Sequence, residues 1–346
     1  MSNNRISIKS QKKKVKRRRI FTWVIMPFLV LTLTATAYGA FLYNKAESVM
    51  DESYKPIERK SSKRDKEVDM HSDNFSVLFA GVDDSESRNY NEGARTDALM
   101  VATFNERAKS VKLLSIPRDS LVYIPNKGEK DKINHSYGNG GIESTIESVE
   151  ELLDIPIDRY VKMNFEGFID IIDALDGIEA EVPYALSEKD SKDRHNAINL
   201  QPGLQTLNGE EALALARTRK KDTDMARGMR QQEILKAIID KAASTSAITK
   251  YPEVIQAVGD NMSTDMSFNQ MKAFLGYATA GTGINIEAKS LKGEAKRLED
   301  GIWYYVVDDL ALSQLRIELQ THLQLTESEL NALGTEQNDM ENSSNY

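Results

Sequence analysis

The sequence predicts an α/β domain in which helices cover both faces of a central mixed sheet, preceded by one transmembrane helix. Short apolar runs such as residues 75–82 (FSVLFAGV) alternate with segments whose apolar residues recur at helical spacing. Ahead of this alternation, residues 20–43 form a continuous stretch without a charged side chain. Together these observations indicate a layered α-β-α body behind a membrane anchor.

The predicted anchor is long enough to cross a bilayer. At about 1.5 Å per residue, residues 20–43 span the roughly 30 Å hydrocarbon core. Trp23 and Tyr43 lie near its two ends, where aromatic side chains favour the membrane interface. Residues 1–19 carry nine Lys or Arg and no acidic residue, which predicts a cytoplasmic N-terminus and an extracellular body. A cleaved signal peptide is the alternative, because residues 37–40 (AYGA) offer small side chains for cleavage.

Composition excludes several classes of function. The chain has a net charge of −8 despite its basic start, so the body is acidic and a poor binder of nucleic acid. It contains no cysteine, which excludes disulfides, thiolate nucleophiles and Cys-bearing zinc sites. Its four histidines are far apart and lack the spacing of metal ligands.

The body is predicted between two polar segments. Residues 44–73 are charged, without an apolar period, and predict an extracellular tether, whereas residues 326–346 predict a disordered tail. The intervening residues, 74–325, form the predicted α/β domain. Predicted strands cover 75–82, 98–104, 111–116, 159–163, 284–291 and 303–307, and predicted helices cover 143–153, 165–175, 209–216, 225–243 and 310–323.

Charged clusters flank the first three predicted strands. Asp83 ends the first, Arg95 and Asp97 open the second, and Arg118 follows the third. If the strands run up, down and up, all of these residues meet at one end of the sheet. The carboxylates of Asp83 and Asp97 suit a hard cation such as Mg²⁺, which is often held by one or two carboxylates plus substrate phosphates. Mn²⁺ is the alternative ion, and a turn or capping role is the alternative for either aspartate taken alone.

The second half of the body adds further arginines. Arg217 and Arg219 are two residues apart and face the same way in extended chain. Arg227 and Gln231 share a helical face with an apolar stripe, so that face is predicted to turn inward. A buried guanidinium needs an anion or an acidic partner. A pyrophosphate ligand and a structural pair with Asp224 are therefore the two interpretations.

Another stripe, Phe165, Phe168, Ile169 and Ile172, predicts core packing, with a lipid groove as the alternative.

Six segments, in order, carry a resemblance to a known family. They are 75–83 (FSVLFAGVD), 94–100 (ARTDALM), 114–119 (LSIPRD), 132–137 (KINHSY), 200–219 (LQPGLQTLNGEEALALARTR) and 227–232 (RGMRQQ). Over roughly residues 73–245 the chain resembles the LytR–CpsA–Psr family. The short basic tail and single span are similar to that family as well.

The resemblance implies an enzyme of the Gram-positive envelope. It would transfer an anionic glycopolymer, such as wall teichoic acid, from an undecaprenyl pyrophosphate carrier to a muramic-acid hydroxyl of peptidoglycan, with the lipid in a hydrophobic tunnel. Asp83 and Asp97 would hold Mg²⁺, with Asp84 as a rival ligand to Asp83. The implied pyrophosphate ligands are Arg95, Arg118, Arg217, Arg219, Arg227 and Gln231.

Within that implied site, Asp97 and Arg118 would be the catalytic residues. Asp97 could deprotonate the acceptor or serve as a metal ligand alone, whereas Arg118 would stabilise the departing lipid phosphate. The sequence also leaves two other functions open. One is a metal-dependent lipid pyrophosphatase that uses water as acceptor, and the other is a non-catalytic regulator of the cell envelope.

Overall fold

The computed structural model describes residues 21–57, 63–64, 68–70, 72–83, 95–218, 224–279 and 285–325. The predicted basic tail, 1–19, and the predicted disordered tail, 326–346, lie outside the described residues. The chain divides into two compact units, Met1–Ser48 and Val49–Tyr346.

The described part of the first unit is an apolar helix. A π-helical turn, Phe21–Ile25, leads into helix α1, Met26–Ser53. The most apolar 18-residue window of α1 has a mean hydropathy of 1.4, and none of that window is buried. Length and composition therefore suit one membrane span, which suggests a single-pass anchor.

Part of the segment predicted as a tether is instead helical and packed. Helix α1 continues past Tyr43 to Ser53, and Val49, Met50 and Ser53 are buried in the second unit. The Ser53 hydroxyl donates a hydrogen bond to the carbonyl of Gly259 at 3.1 Å. This contact could not be predicted from the sequence, because only one helical turn packs against the body. That stretch is too short for an apolar period to be recognised.

The second unit contains strands and helices in alternation. The strands in chain order are β1 Phe75–Asp83, β2 Arg95–Asn105, β3 Ser110–Ile116, β4 Leu121–Ile124, β5 Glu129–Lys132, β6 Arg159–Asn164, β7 Ile178–Val182, β8 Leu186–Glu188, β9 Ile198–Leu200, β10 Gly203–Leu207, β11 Met262–Thr264, β12 Asn285–Ser290, β13 Gly293–Arg297 and β14 Trp303–Val307. The helices are α2 Ser136–Leu153, α3 Phe165–Ala174, α4 Gly209–Arg217, α5 Asp224–Ala242, α6 Tyr251–Asn261, α7 Phe268–Thr279 and α8 Asp309–Leu323.

A six-stranded mixed sheet forms the centre, in the order β11-β6-β1-β2-β3-β12. Strands β1, β2 and β3 are an antiparallel meander, as the sequence predicted. Strand β6 pairs parallel with β1, and β12 pairs parallel with β3. This confirms the mixed sheet and places the end of β1, the start of β2 and the end of β3 at one edge.

The two faces of this sheet are packed against different helices and loops. Leu78, Leu99 and Val101 point to a fully buried layer under α2 and α8. Phe75 and Val77 point to the other side, where methionines from β11 and α7 cover the lower part of the sheet. Alternate side chains of buried strands point to opposite faces, so both faces need an apolar cover. The layered α-β-α prediction is confirmed.

The upper part of the second face is covered by α3, α4 and α5. Their apolar residues pack with the β7–β10 ribbon in a separate cluster that includes Ile172, Leu215 and Ile234. Helix α4 begins with a capping box between Asn208 and Glu211. At the same point Gly209 allows close approach to α3, because a Cβ there would lie 2.4 Å from the carbonyl oxygen of Ile169. The three helices therefore form an independent roof above this part of the sheet.

Candidate functional site

An irregularity in β2 marks the start of the site. Gly81 pairs with Ala98, whereas the next residue, Val82, pairs with Thr96, so Asp97 has no partner on β1. This is a β-bulge, which bends the strand and redirects the side chain of the extra residue. Beyond it, Asp83 pairs with Arg95. The bulge thus presents Asp97 at the edge where the three charged clusters meet.

Arg118 lies directly beside this bulge. Its Nη1 forms an ion pair with Oδ1 of Asp97, and its Nε lies 3.8 Å from Oδ2 of Asp119. The backbone around Arg118 is fixed on both sides. The N–H of Asn134 donates to the Arg118 carbonyl at 3.1 Å, and the N–H of Tyr305 donates to the Asp119 carbonyl at 2.8 Å. Arg118 is therefore positioned by a rigid frame rather than by a free loop.

A polar cleft of about 720 Å³ opens in front of this pair. Cationic side chains, acidic side chains and aromatic rings share its walls. The polar cleft is lined by Arg95, Asp97, Arg118, Asp119, Lys132, Asn134, Lys189, Asp193, Arg217, Ala295, Trp303, Tyr304 and Tyr305. Four of these residues are the sequence-predicted Arg95, Asp97, Arg118 and Arg217.

An apolar cavity of about 600 Å³ lies between the sheet and its helical roof. Its walls come from β1, β2 and β6 below and from α3, α4 and α5 above. The apolar cavity is lined mainly by Phe79, Met100, Val161, Met163, Phe165, Phe168, Ile171, Leu213, Ala214, Ile234, Leu235 and Ile238. Phe165 and Phe168 therefore belong to the lipid-groove alternative for that stripe, whereas Ile172 is packed in the core.

The two spaces meet at four charged residues. Asp97, Arg118, Lys189 and Arg217 line both the polar cleft and the apolar cavity. A molecule with a long apolar chain and an anionic head can therefore place its chain under the roof and its head between Arg118 and Arg217. Such a cavity with a few convergent charged groups is the usual form of a small-molecule site.

Arg217 is held at the junction by its surroundings. It is the last residue of α4, and its guanidinium carbon lies 4.8 Å from the centre of the Phe165 ring. Buried Arg230 donates from Nη2 to the Thr218 carbonyl at 2.7 Å and from Nε to the Leu215 carbonyl at 3.2 Å. The Thr218 hydroxyl also donates to Glu188 at 2.6 Å. These contacts satisfy the end of α4 and fix the direction of Arg217.

Arg227 and Gln231 occupy the inner face of α5, as their helical spacing predicted. Arg227 has 5% of its surface exposed, and both side chains line the apolar cavity beside Ile234. Gln231 also donates to the carbonyl of Ala216 at 3.3 Å. A buried guanidinium is stabilised by hydrogen-bond acceptors, by an acidic partner or by a bound anion.

Some predicted residues are not covered by these observations. Asp84 and Arg219 lie outside the described residues. Asp83 is described by its backbone at the sheet edge. Among the described residues, no three His, Asp or Glu side chains converge as a metal cluster. Asp97 is the described carboxylate that lines both the polar cleft and the apolar cavity, and Mg²⁺ is often held by one or two carboxylates together with substrate phosphates.

Sequence reasoning missed several residues of the cleft. Lys189 follows the short strand β8, Lys132 ends β5 with Asn134 two residues later, and Trp303 opens β14. Their positions depend on tertiary contacts that no local period encodes. A partial signal was available, because Lys132 and Asn134 lie inside the segment 132–137 (KINHSY).

Comparison with known proteins identifies relatives over most of the chain. Residues 40–321 match the model of the LytR_cpsA_psr family. The chain is 38% identical to the polyisoprenyl-teichoic acid–peptidoglycan teichoic acid transferase TagU of Halalkalibacterium halodurans, over 86% of this chain and 95% of that protein. It is 37% identical to the transferase TagT of Bacillus subtilis, over 91% of this chain and 98% of that protein.

Solved structures show the same fold. The structure of TagT bound to LIIa-WTA superposes with a TM-score of 0.64 at 38% identity, covering 78% of this chain and 98% of that chain. The structure of YwtF (TagT) with bound octaprenyl pyrophosphate lipid superposes with a TM-score of 0.62 at 34% identity, covering 79% and 100%.

Proposed function

Because this chain belongs to the LytR–CpsA–Psr family, we propose that it transfers an anionic glycopolymer of the teichoic acid type from a polyprenyl pyrophosphate carrier to peptidoglycan. One observation carries the proposal. The apolar cavity and the polar cleft meet at Asp97, Arg118 and Arg217, so a single site accommodates a lipid chain and a charged head. Relatives bound to a wall teichoic acid precursor and to a prenyl pyrophosphate support this substrate class.

The lipid chain of the carrier belongs in the apolar cavity. Burial of apolar surface stabilises the complex by about 25 cal/mol per Å², so several isoprene units contribute a large part of the affinity. The remaining length of a polyprenyl chain must leave the cavity and return to the membrane. An anchored domain therefore meets its substrate without extracting the whole lipid from the bilayer.

The pyrophosphate belongs at the junction of the two spaces. Arg118 and Arg217 supply cations there, and Arg227 with Gln231 lines the adjoining apolar cavity from the inner face of α5. The Nε of Arg118 is buried and has no hydrogen-bond partner among the described residues, so a phosphate oxygen can accept from it. Arg95 and Arg219 complete the proposed set.

The reaction is then a phosphoryl transfer. A hydroxyl oxygen of the acceptor glycan attacks the phosphorus that carries the polymer, and the bond from that phosphorus to the bridging oxygen breaks. Polyprenyl monophosphate leaves, and the polymer becomes joined to peptidoglycan by a phosphodiester. Arg118 and Arg217 stabilise the charge that develops on the leaving phosphate. The proton of the attacking hydroxyl passes to a base, for which Asp97 is the proposed residue.

As the alternative role for Asp97, we propose that it holds Mg²⁺ together with Asp83, with Mn²⁺ as a substitute. Carboxylate oxygens are the donors that these ions favour. When bound, the ion would neutralise charge on the phosphates. In that arrangement Arg118 keeps its ion pair with Asp97 and thereby orients the carboxylate.

The proposed location is the outer face of a Gram-positive cell membrane. The basic residues 1–19 precede the apolar helix α1, which supports a cytoplasmic N-terminus and an extracellular body.

The decisive experiment uses the full chain in detergent with a lipid-linked polymer and purified peptidoglycan. We expect polymer that is covalently attached to peptidoglycan, together with one polyprenyl monophosphate per transfer. Omission of peptidoglycan should stop both products. Release of polyprenyl monophosphate at an undiminished rate without peptidoglycan would instead establish a pyrophosphatase, and the absence of any turnover would favour a non-catalytic regulator.

A further inference from the structure

The polar cleft extends beyond the charged junction to an aromatic wall. This wall is the β13–β14 ribbon, which contributes Trp303, Tyr304 and Tyr305 to the lining. The ribbon is joined to the segment that follows Arg118, because Ser120 and Tyr305 form a β-bridge. In addition, the Tyr305 hydroxyl donates to the Leu291 carbonyl at 2.8 Å. These two contacts hold the aromatic wall in place relative to Arg118.

Trp303 is presented by this wall with 60% of its surface exposed. A large indole that is left open in a cleft loses the burial that usually stabilises it, and it offers a flat apolar face with one N–H donor. Its neighbour Tyr304 is buried, and the Tyr304 hydroxyl donates to Asp300 at 2.9 Å. The ribbon thus packs through the tyrosines and leaves the tryptophan as a platform.

The opposite wall supplies polar groups. Lys132 lies with Nζ 5.6 Å from the centre of the Tyr304 ring and 3.1 Å from Oδ1 of Asp119. Asn134 is 3% exposed, and its Oδ1 has no hydrogen-bond partner among the described residues. A buried acceptor that lacks a donor is unfavourable, so it points to a ligand that donates a hydrogen bond.

We propose that this end of the polar cleft is a saccharide subsite, in which a pyranose ring stacks on Trp303 and donates a hydrogen bond to Asn134. The face of a pyranose that carries axial C–H groups is apolar and matches an indole, whereas its rim carries hydroxyl or N-acetyl N–H donors. Phosphate is a poor match for the same position, because it has no donor for Asn134 and no apolar face for Trp303.

This subsite deepens the proposed function and rests on it. An N-acetylhexosamine ring can reach the subsite from either of two sources. It can belong to the peptidoglycan acceptor, or it can be the sugar attached to the pyrophosphate of the donor. Both present the same ring chemistry, and the experiment separates them.

The chain offers a direct optical test, because it contains two tryptophans, Trp23 and Trp303. Full-length Trp23→Phe protein in detergent has Trp303 as its single indole. It would be titrated with uncross-linked peptidoglycan glycan strands in one arm. A second arm would use N-acetylglucosaminyl pyrophosphate on a short prenyl chain, with the sugar-free prenyl pyrophosphate as control. We expect a saturable change in Trp303 fluorescence with one of the two sugar-bearing probes and none with the control.

Kinetics give an independent readout. Trp303→Ala should raise KM by roughly tenfold for the substrate whose sugar occupies the subsite, and it should leave KM for the other substrate unchanged. Trp303→Phe should recover part of the loss. Ile302→Ala is the matched control, since Ile302 is also exposed, at 47%, but does not line the cleft.

Asn134→Ala distinguishes a ligand role from a structural role. Its Oδ1 has no partner in the described protein, so the variant should keep its Tm while it weakens binding of the same probe. Unchanged fluorescence with both probes and unchanged KM values in Trp303→Ala would overturn the subsite. Saturable binding of a glycan by a protein that transfers nothing would support the subsite and overturn the proposed function.

Discussion

Two arginines of helix α5 are buried to nearly the same extent but lie in different surroundings. Arg230 is 6% exposed and donates to carbonyls at the end of α4. Arg227 is 5% exposed and lines the apolar cavity. Similar burial therefore accompanies different positions, because Arg230 holds the end of α4 whereas Arg227 forms part of the cavity wall. Replacement of each residue separates these roles.

Arg230→Ala should lower the free energy of unfolding by about 1–3 kcal/mol, since the carbonyls of Leu215 and Thr218 lose their donor. Arg227→Ala should weaken binding of a prenyl pyrophosphate by at least about tenfold, with a smaller effect on stability. Thermal melting and a binding titration of both variants make the comparison. A loss of stability in Arg227→Ala with unchanged binding would refute its assignment to the phosphate site.

Asp97→Asn keeps the size of the side chain and removes its charge. We expect transfer to fall by about 10²- to 10⁴-fold, because both a general base and a cation ligand need the carboxylate. Asp193→Asn is a suitable control, since Asp193 also lines the polar cleft and has a positive φ of 58° that asparagine tolerates. That control should change the rate by well under tenfold. Full activity of Asp97→Asn would exclude Asp97 from the chemistry.

At the scale of elements, the strands and helices that carry a continuous apolar pattern were predictable from the sequence. Strands β1 to β3 were predictable because each is an apolar run buried on both faces, and their meander followed from chain order. The ribbon β4–β5 was missed because β5 reads Glu-Lys-Asp-Lys and shows no alternation. The residues of the candidate site divide in the same way, into those that local pattern predicts and those that it does not. Asp97 and Arg118 flank predicted strands that meet at one end, whereas Lys189, Asn134 and Trp303 line the cleft through tertiary contacts such as the Ser120–Tyr305 bridge, which joins residues far apart in sequence.

The roof helices α3, α4 and α5 define the width of the apolar cavity. Leu235→Trp should fill part of this space and weaken binding of a long prenyl pyrophosphate by about tenfold or more. A short-chain analogue that needs little of the cavity should bind with nearly unchanged affinity. Leu235→Met conserves volume and should behave like the original protein. Equal losses for the long and short analogues would show that the chain does not occupy this cavity.

The loop after strand β11 carries a carboxyl group that makes stability depend on pH. Burial raises the pKa of Asp265 to about 6 from its ordinary 3.8, although its Oδ1 accepts from the Tyr160 N–H at 2.8 Å. The folded state therefore binds this proton more tightly than the unfolded state. Its stabilising contribution is complete below about pH 4 and is lost as pH rises through about 6.

Asp265→Asn keeps an acceptor for Tyr160 and removes the charge. We expect the free energy of unfolding at pH 7.5 to rise by on the order of 1–2 kcal/mol and its dependence on pH between 4 and 6 to become flatter. Urea denaturation at several pH values measures both effects. An unchanged pH profile would show that Asp265 is not the titrating group.

At the scale of the whole molecule, function requires a lipid substrate, an anchored enzyme and a wall acceptor on the same side of the membrane. The basic tail before α1 supplies the asymmetry that would orient the chain. A reporter fused after Tyr346 should be active outside the cell and silent in the cytoplasm. Replacement of the basic residues in 12–19 by neutral ones should reduce the fraction in that orientation. Cytoplasmic activity of the unmodified fusion would refute the proposed topology and with it the access to peptidoglycan.

The bulge in β2 gives the sheet one residue more than its hydrogen-bonded ladder requires. Deletion of the Asp97 codon would join Thr96 to Ala98 opposite Val82 and Gly81 and leave every other side chain on its present face. We expect such a chain to fold and to keep its apolar cavity, but it would lack the carboxylate. Binding of the lipid carrier and transfer of the polymer can therefore be separated by deletion of a single codon. After gene duplication, one copy could become an inert competitor for lipid-linked precursors in a single step.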